Sequence, residues 1–224
     1  MNDQSFIAPS LLEGVGPINA AAKTMAKQMG VNDPREVFRR INSGQWIVVS
    51  AYSSARSWRE EEGVIYFSVT SDGTTGEDWI KRPEGNGFRV VDYAKQVLRS
   101  PDFKPTSGVT TEVAVLKGML FEDSNRITKK IRAEANKRKL VKPNAELACL
   151  IREKFTDKEI EAMGLIRIVA MHEPINDSDG VPRLLCAYRY DGGRWLGAYG
   201  DMPDGRWHRG DGFALAVSQV SSQP

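Results

Sequence analysis

Residues 183–217 read RLLCAYRYDGGRWLGAYGDMPDGRWHRGDGFALAV, and the reading of this stretch decides the fold. Its two ends are strand-like: Arg183 to Tyr190 predicts a returning strand, and Phe213 to Val217 predicts the last one. Between them lie Gly, Asp, Arg and Tyr threaded among Trp195, Leu196 and Trp207, which suggests long Gly-rich loops. From Pro174 to Ser218 the chain contains no Lys, Glu or Gln, although Lys and Glu are plentiful from Glu112 to Glu173. An ordinary solvated surface would use them. Tyr, Gly, Asp, Arg and Ser beside rigid Trp anchors is instead the composition of a paratope, in which aromatic side chains supply contact area at low entropic cost. The tract is therefore the candidate binding face, with Trp195, Leu196, Trp207 and Phe213 as its buried frame.

Working outward, Leu165 to Met171 predicts a strand, and Asn176-Asp177-Ser178-Asp179-Gly180 a hairpin turn with an Asp-Gly signal. Thr156-Asp157-Lys158-Glu159 is a capping box that starts a short helix stopped by Gly164, and Pro143-Asn144 starts another carrying Leu147, Ala148 and Ile151. Asp123 or Ser124 is expected to cap a basic helix from Ile127 to Lys139. Val113 to Leu116 with Met119 to Phe121 predicts the strand before it. Pro101 to Gly108, with two prolines and a glycine, reads as a domain boundary. Ahead of it, Trp46 to Val49 and Val64 to Val69 predict strands, Ser53 to Gly63 an exposed loop or short helix, and Glu77 to Arg82 and Val91 to Leu98 helices. Asn32-Asp33-Pro34 reads as a helix start with Asp33 as cap. The expected organisation is a helical lead-in at 1–32, a small α+β domain at 33–108, and a ligand-binding domain at 109–224 with its variable region at about 184–217. The fold class is α+β.

Composition excludes little but nominates nothing. A chain of 224 residues with 41% hydrophobic and 27% charged residues is ordinary for a globular protein, and a formal charge of +2 creates no strong field. The two cysteines, Cys149 and Cys186, have neither a paired-thiol nor a zinc spacing and are expected as buried free thiols. No apolar run approaches membrane-spanning length and Met1 to Ser10 lacks a leader pattern, so the expected location is the cytoplasm.

Several stretches invite sharper chemistry. Lys129, Lys130, Arg132, Lys137, Arg138, Lys139 and Lys142 could contact phosphates, but Ile127, Ile131, Ala135 and Leu140 share one side, so the charges form a solvated face without interleaved aromatics. A nucleic-acid-associated module built on residues 127–142 is the alternative reading. Ser71 to Gly76 lacks the Gly-Lys-Ser/Thr ending of a phosphate loop. In a calcium loop ending its turn at Gly180, the first ligand position would be Ile175 and the distal one Cys186, so no such loop is expected. His172 and His208 are the only histidines, and a hydrolase using either is a third reading. No nucleophile elbow accompanies them. No cofactor, metal or catalytic residue is expected.

Arg194-Trp195-Leu196, Pro203, Arg206-Trp207 and Gly212 to Val217 together resemble the variable region of diversity-generating retroelement target proteins, over about the last half of the chain. The resemblance implies a C-type-lectin-like domain whose final strand, from Phe213, pairs beside its first, and a non-enzymatic protein that binds a protein or other surface ligand. It further implies adenine-directed rewriting of asparagine codons, from which Tyr, Asp, Gly, His, Arg, Ser, Cys and Ala arise while Lys, Glu, Gln, Met and Trp do not. The implied diversified positions are Tyr188, Tyr190, Asp191, Gly192, Ala198, Tyr199, Gly200, Asp201, Asp204, Gly205, His208, Gly210 and Asp211. Trp195, Met202 and Trp207 are then fixed, and the diversified side chains are expected to face solvent.

Overall fold

The computed structural model describes residues 57–190 and 193–218 and, ahead of them, Lys27, Asp33, Arg35, Glu36 and Arg39. Two compact units divide between Arg56 and Ser57. In the first, the Asp33 carboxylate accepts the Arg35 backbone N–H at 2.9 Å and Arg35, Glu36 and Arg39 are helical, in keeping with Asp33 as a cap. The expected strand Trp46 to Val49 and the lead-in 1–32, apart from Lys27, lie outside the described residues.

The second unit is α+β: a mixed ten-stranded sheet with five helices. In chain order its elements are β1 (Arg59–Glu61), β2 (Val64–Asp72), α1 (Asp78–Gly85), β3 (Arg89–Val90), α2 (Asp92–Arg99), β4 (Ser107–Lys117), a 3-10 turn (Gly118–Leu120), α3 (Thr128–Lys137), β5 (Leu140–Val141), α4 (Leu147–Lys154), α5 (Asp157–Ala162), β6 (Arg167–Ala170), β7 (Ile175–Asn176), β8 (Pro182–Tyr190), β9 (Gly193–Gly200) and β10 (Asp211–Val217). The strands lie in the order β1-β2-β4-β10-β6-β8-β9-β3, with β5 against β10 and β7 against β8. Only β10 with β6 and β3 with β9 run parallel. The last strand does pair beside β4, Phe213 opposite Leu116.

The period-2 alternation of the strands sorts side chains onto two faces. Ile65, Phe67, Val113, Val115, Ile168, Leu185, Leu196 and Ala214 point to a core closed by α1, α2, α4 and α5. Val64, Leu116, Val169, Leu184, Cys186, Phe213 and Leu215 point the other way, against Ile131 and Ala135 of α3. The sheet is thus covered by four helices on one face and by a single helix on the other.

Several expectations are corrected. The connection Pro101 to Gly108 does not separate two cores, because β2 pairs along its length with β4 and Phe103 inside the connection is buried. Residues 57–100 and 109–217 therefore build one sheet. Glu60 and its neighbours, expected in a loop or helix, form the edge strand β1. Residues 193–200, expected as Gly-rich loop, form β9, in an antiparallel pairing that runs from Arg183 opposite Gly200 to Tyr190 opposite Gly193. Helix α3 is capped by neither Asp123 nor Ser124. Its N-cap is Ile127, and its first N–H groups, of Thr128 and Lys129, donate to the carbonyls of Gly205 at 3.2 Å and Pro203 at 2.9 Å. The capping box is as expected, with Thr156 Oγ1 accepting the Glu159 N–H and the Glu159 carboxylate accepting the Thr156 N–H. The Asp177 turn is a hairpin turn: its carboxylate accepts the N–H groups of Asp179 and Val181, and Gly180 supplies the positive φ of 76°. Cys149 and Cys186 are buried free thiols, and burial pushes Cys186 up to about 12.

Candidate ligand-binding face

The part of the single-helix face that α3 leaves open carries a row of side chains in register across five strands. Asp211 of β10 is paired with Arg167 of β6, Arg167 with Tyr188 of β8, Tyr188 with Trp195 of β9, and Trp195 with Arg89 of β3. Cross-strand pairing of this kind places side chains within contact distance on one face. The contacts follow. Tyr188 and Trp195 stack with centroids 5.7 Å apart and planes 18° from parallel, and the Arg89 guanidinium sits 4.8 Å from the centre of the Trp195 ring. The Tyr188 ring lies across Gly197, where any Cβ would stand 2.7 Å from Tyr188 Cε1. Glycine at 197 is therefore a packing requirement, which explains why a strand there looked like a loop.

Along β9 the same face brings in Tyr199. The Arg167 guanidinium covers its ring at 4.0 Å, and the ring tilts toward Trp207 at 6.3 Å, which in turn meets Phe213 edge-on at 5.7 Å. Trp207 is anchored by donating from Nε1 to Thr128 Oγ1 at 3.0 Å, and its backbone N–H donates to the Arg126 carbonyl. A concavity of about 280 Å³ opens here, lined by Arg167, Tyr199, Gly200, Gly205, Arg206, Trp207, His208 and Asp211. At its floor Arg167 Nε donates to Asp211 Oδ1 at 3.1 Å, and the other oxygen of Asp211 accepts the His208 backbone N–H. Burial raises the Asp211 carboxyl above its ordinary range, against the pull of Arg167. Burial likewise raises the Tyr199 phenol and pushes Tyr188 up to about 12. Both tyrosines therefore remain neutral hydrogen-bond donors at any ordinary pH.

The expected positions divide. Tyr199, Gly200, Gly205, His208 and Asp211 meet around the concavity, and Tyr188 stands in the adjoining row. Tyr190, with 68% of its surface exposed, is at the outer end of β8, while Asp191 and Gly192 lie outside the described residues. Asp204 is exposed and paired with Lys129, and Gly210 backs onto Ile166. The frame is as expected for Leu196 and Phe213, both fully buried, and Trp195 and Trp207 are half-buried. Met202, expected to be fixed, is exposed. Two positions do not face solvent as expected: Asp211 is 1% exposed and Ala198, at 9%, points into the four-helix core. Asp201 is also largely withdrawn, held by Arg132 at 2.8 Å.

Sequence reading missed Arg167 and Arg89. The signal for Arg167 was a single charge inside Leu165-Ile166-Arg167-Ile168-Val169-Ala170-Met171, which an apolar strand admits only where the charge has a buried partner. His172 is buried with both ring nitrogens bonded to backbone groups, and exposed His208 accepts the Gly210 N–H at Nδ1. In the basic segment Lys129, Arg132, Arg138 and Lys142 are paired with Asp204, Asp201, Glu134 and Glu173. Among the described residues, no three acidic, His or Cys groups cluster as a metal site and no helix is long and apolar enough to cross a membrane. No protein-family model, curated protein or solved structure matches the chain.

Proposed function

We propose that the chain is a non-enzymatic binding protein that engages its ligand through the aromatic and arginine face of β6, β8 and β9 with the 201–210 loop, and that a retroelement diversifies part of that face. The observation that carries this reading is the single cluster formed by Tyr188, Trp195, Tyr199 and Trp207 with Arg167 and Arg89 on an open sheet face. Tyr, Trp and Arg are the side chains that dominate binding energy at interfaces. Their rings are fixed here by stacking and by hydrogen bonds to the frame, so little conformational entropy is lost on binding.

The C-type-lectin-like arrangement from about Val109 onward belongs to the same proposal. What supports it is the antiparallel pairing of β4 with β10, the helices α3 and α4 between them, and the β6-β8-β9 run of strands. Strands β1 and β2, on the outer side of β4, add to that arrangement. Among the described residues, burial and the space at each position leave Tyr188, Tyr190, Tyr199, Gly200, Asp204 and His208 as the diversified set, with Asp211, Ala198 and Gly205 held fixed.

The test is sequencing of the coding locus and its flanks. The expected result is a reverse transcriptase gene and an imperfect repeat of the 3′ coding end, with mismatches at adenines that fall in the codons of the solvent-facing set. Absence of the repeat, mismatches at random bases, or variation concentrated at Asp211 and Ala198 would sink the proposal.

A further inference from the structure

The proposed ligand-binding face carries positive charge that its own residues leave uncancelled. Strands β6, β8 and β9 with residues 201–211 contain no Glu and three aspartates, each already paired: Asp201 with Arg132, Asp204 with Lys129 and Asp211 with Arg167. Arg206 and Arg209 on the same loop are exposed and have no carboxylate within ion-pair distance among the described residues. The same holds for Arg89, exposed at the far end of the aromatic row. Arg206 is also held in place, since its backbone bridges to Ile127 and the next N–H, of Trp207, donates to the Arg126 carbonyl at 3.0 Å.

Arg206 and Arg167 meet at the concavity beside Tyr199 and Trp207. Arg167 gives Asp211 only its Nε, at 3.1 Å, and 17% of its side-chain surface stays open. A carboxylate entering there finds guanidinium donors, while the methylenes that carry it lie on the rings of Tyr199 and Trp207, an arrangement suited to an Asp or Glu side chain. Register adds a second contact. Arg167, Tyr188, Trp195 and Arg89 are cross-strand partners in β6, β8, β9 and β3, so Arg167 and Arg89 stand three strand spacings apart. At ~4.8 Å per spacing that is ~14 Å, the reach of about four residues of extended chain. Residues four apart on an extended segment share one face. The rings here are already engaged: Trp195 lies between Tyr188 and Arg89, Tyr199 carries Arg167, and Trp207 meets Phe213 edge-on. Nucleobases need an open ring to stack on, so the free cations fit a peptide better than a nucleic acid.

We propose that the ligand of this face is an acidic segment of a partner protein, lying extended across the strands with one carboxylate between Arg167 and Arg206 and a second, about four residues away, at Arg89. The proposal rests on the reading of this surface as the ligand-binding face. Arg89 and Arg167 lie ahead of the variable stretch, and Arg206 is outside the diversified set. The preference for acid is therefore common to all variants of the face, and the exchangeable side chains choose among acidic partners. Complementary charge of this kind steers encounter and suppresses binding of cationic surfaces.

The experiment is selection of a displayed library of random twelve-residue peptides on the full chain, then calorimetric titration with the selected peptides, their Asn and Gln counterparts and a twelve-nucleotide oligothymidylate. Enrichment of Asp and Glu at a spacing of about four is expected, with the amide counterparts at least ~10-fold weaker. R206Q, on an exposed side chain, is expected to weaken the acidic peptides ~5-fold. Lys158→Gln makes the same change in net charge on exposed α5, over the four-helix core, and should leave them unaffected. Circular dichroism reports whether the variants fold; if R206Q does not, R89Q is read in its place with the same expectation. Selected peptides that lose binding in Tyr199→Ala but carry no acidic excess would overturn the acid preference and leave the binding face standing. Selection of no peptide that needs Tyr199 would sink the face and the preference together. Acidic peptides indifferent to R206Q and R89Q, weakened equally by Lys158→Gln, or bound less tightly than the oligothymidylate would overturn the preference as well.

Discussion

At His172 the two ring nitrogens divide their work between backbone groups. The Leu185 N–H donates to Nε2 at 2.9 Å, so the ring proton sits on Nδ1 and is donated to the Glu173 carbonyl at 2.6 Å. Protonating Nε2 would break the first bond inside the fold, and burial accordingly pulls the group from 6.5 down to about 4. The native state keeps the neutral ring while the unfolded chain takes up a proton below about 6.5. The stabilisation is complete above that pH and is lost as pH falls through 4, by at most about 3 kcal/mol. Urea unfolding across pH 7 to 4 should therefore show a loss that His172→Gln largely removes. A lone histidine after an apolar strand gave no sign of this in the sequence, because burial is a property of what α3 and β8 bring to it. Asp211 teaches the same lesson from the other side: its composition suited an exposed contact, and only the register that sets it beside Arg167 reveals a buried ion pair.

Among the elements, β9 shows where sequence reading reached its limit. Strands β6, β8 and β10 were legible because β-branched and apolar residues alternate or run together in them, and α5 was legible because its capping box is local. In β9, Gly193, Gly197 and Gly200 look like breakers, and the reason for the central one lies on the neighbouring strand in the ring of Tyr188. Gly197→Ala should cost about 1 to 3 kcal/mol in chemical denaturation, as overpacking against a fixed ring does. In a Tyr188→Ala background the same substitution should cost much less, since the clash partner is gone. Equal costs in the two backgrounds would mean that the ring does not rest on Gly197.

For the molecule as a whole, the order of strands decides which pieces can stand alone. The Pro-rich connection 101–108 looked like an exposed linker, yet Phe103 is buried in it and the Thr106 N–H donates to the carboxylate of buried Glu146. Those partners are forty residues away in sequence, so local composition could not disclose them. Because β2 covers the edge of β4, a fragment of residues 109–224 would leave what remains of β4, residues 109–117, as an open hydrogen-bonding edge. It should aggregate or melt without cooperativity, whereas residues 57–224 should give a cooperative melt and a single peak in gel filtration. A folded, monomeric 109–224 fragment would show that β2 is dispensable.

The 201–210 loop closes the start of α3 with the carbonyls of Pro203 and Gly205, which are main-chain groups that every residue type possesses. The exposed side chains of Asp204 and His208 on that loop can be exchanged codon for codon while the helix keeps its cap. An inserted or deleted residue would instead move both carbonyls off the Thr128 and Lys129 donors and unseat Trp207 with them. The loop is thus tolerant in spelling and strict in length, a combination suited to a process that changes bases without changing the number of codons.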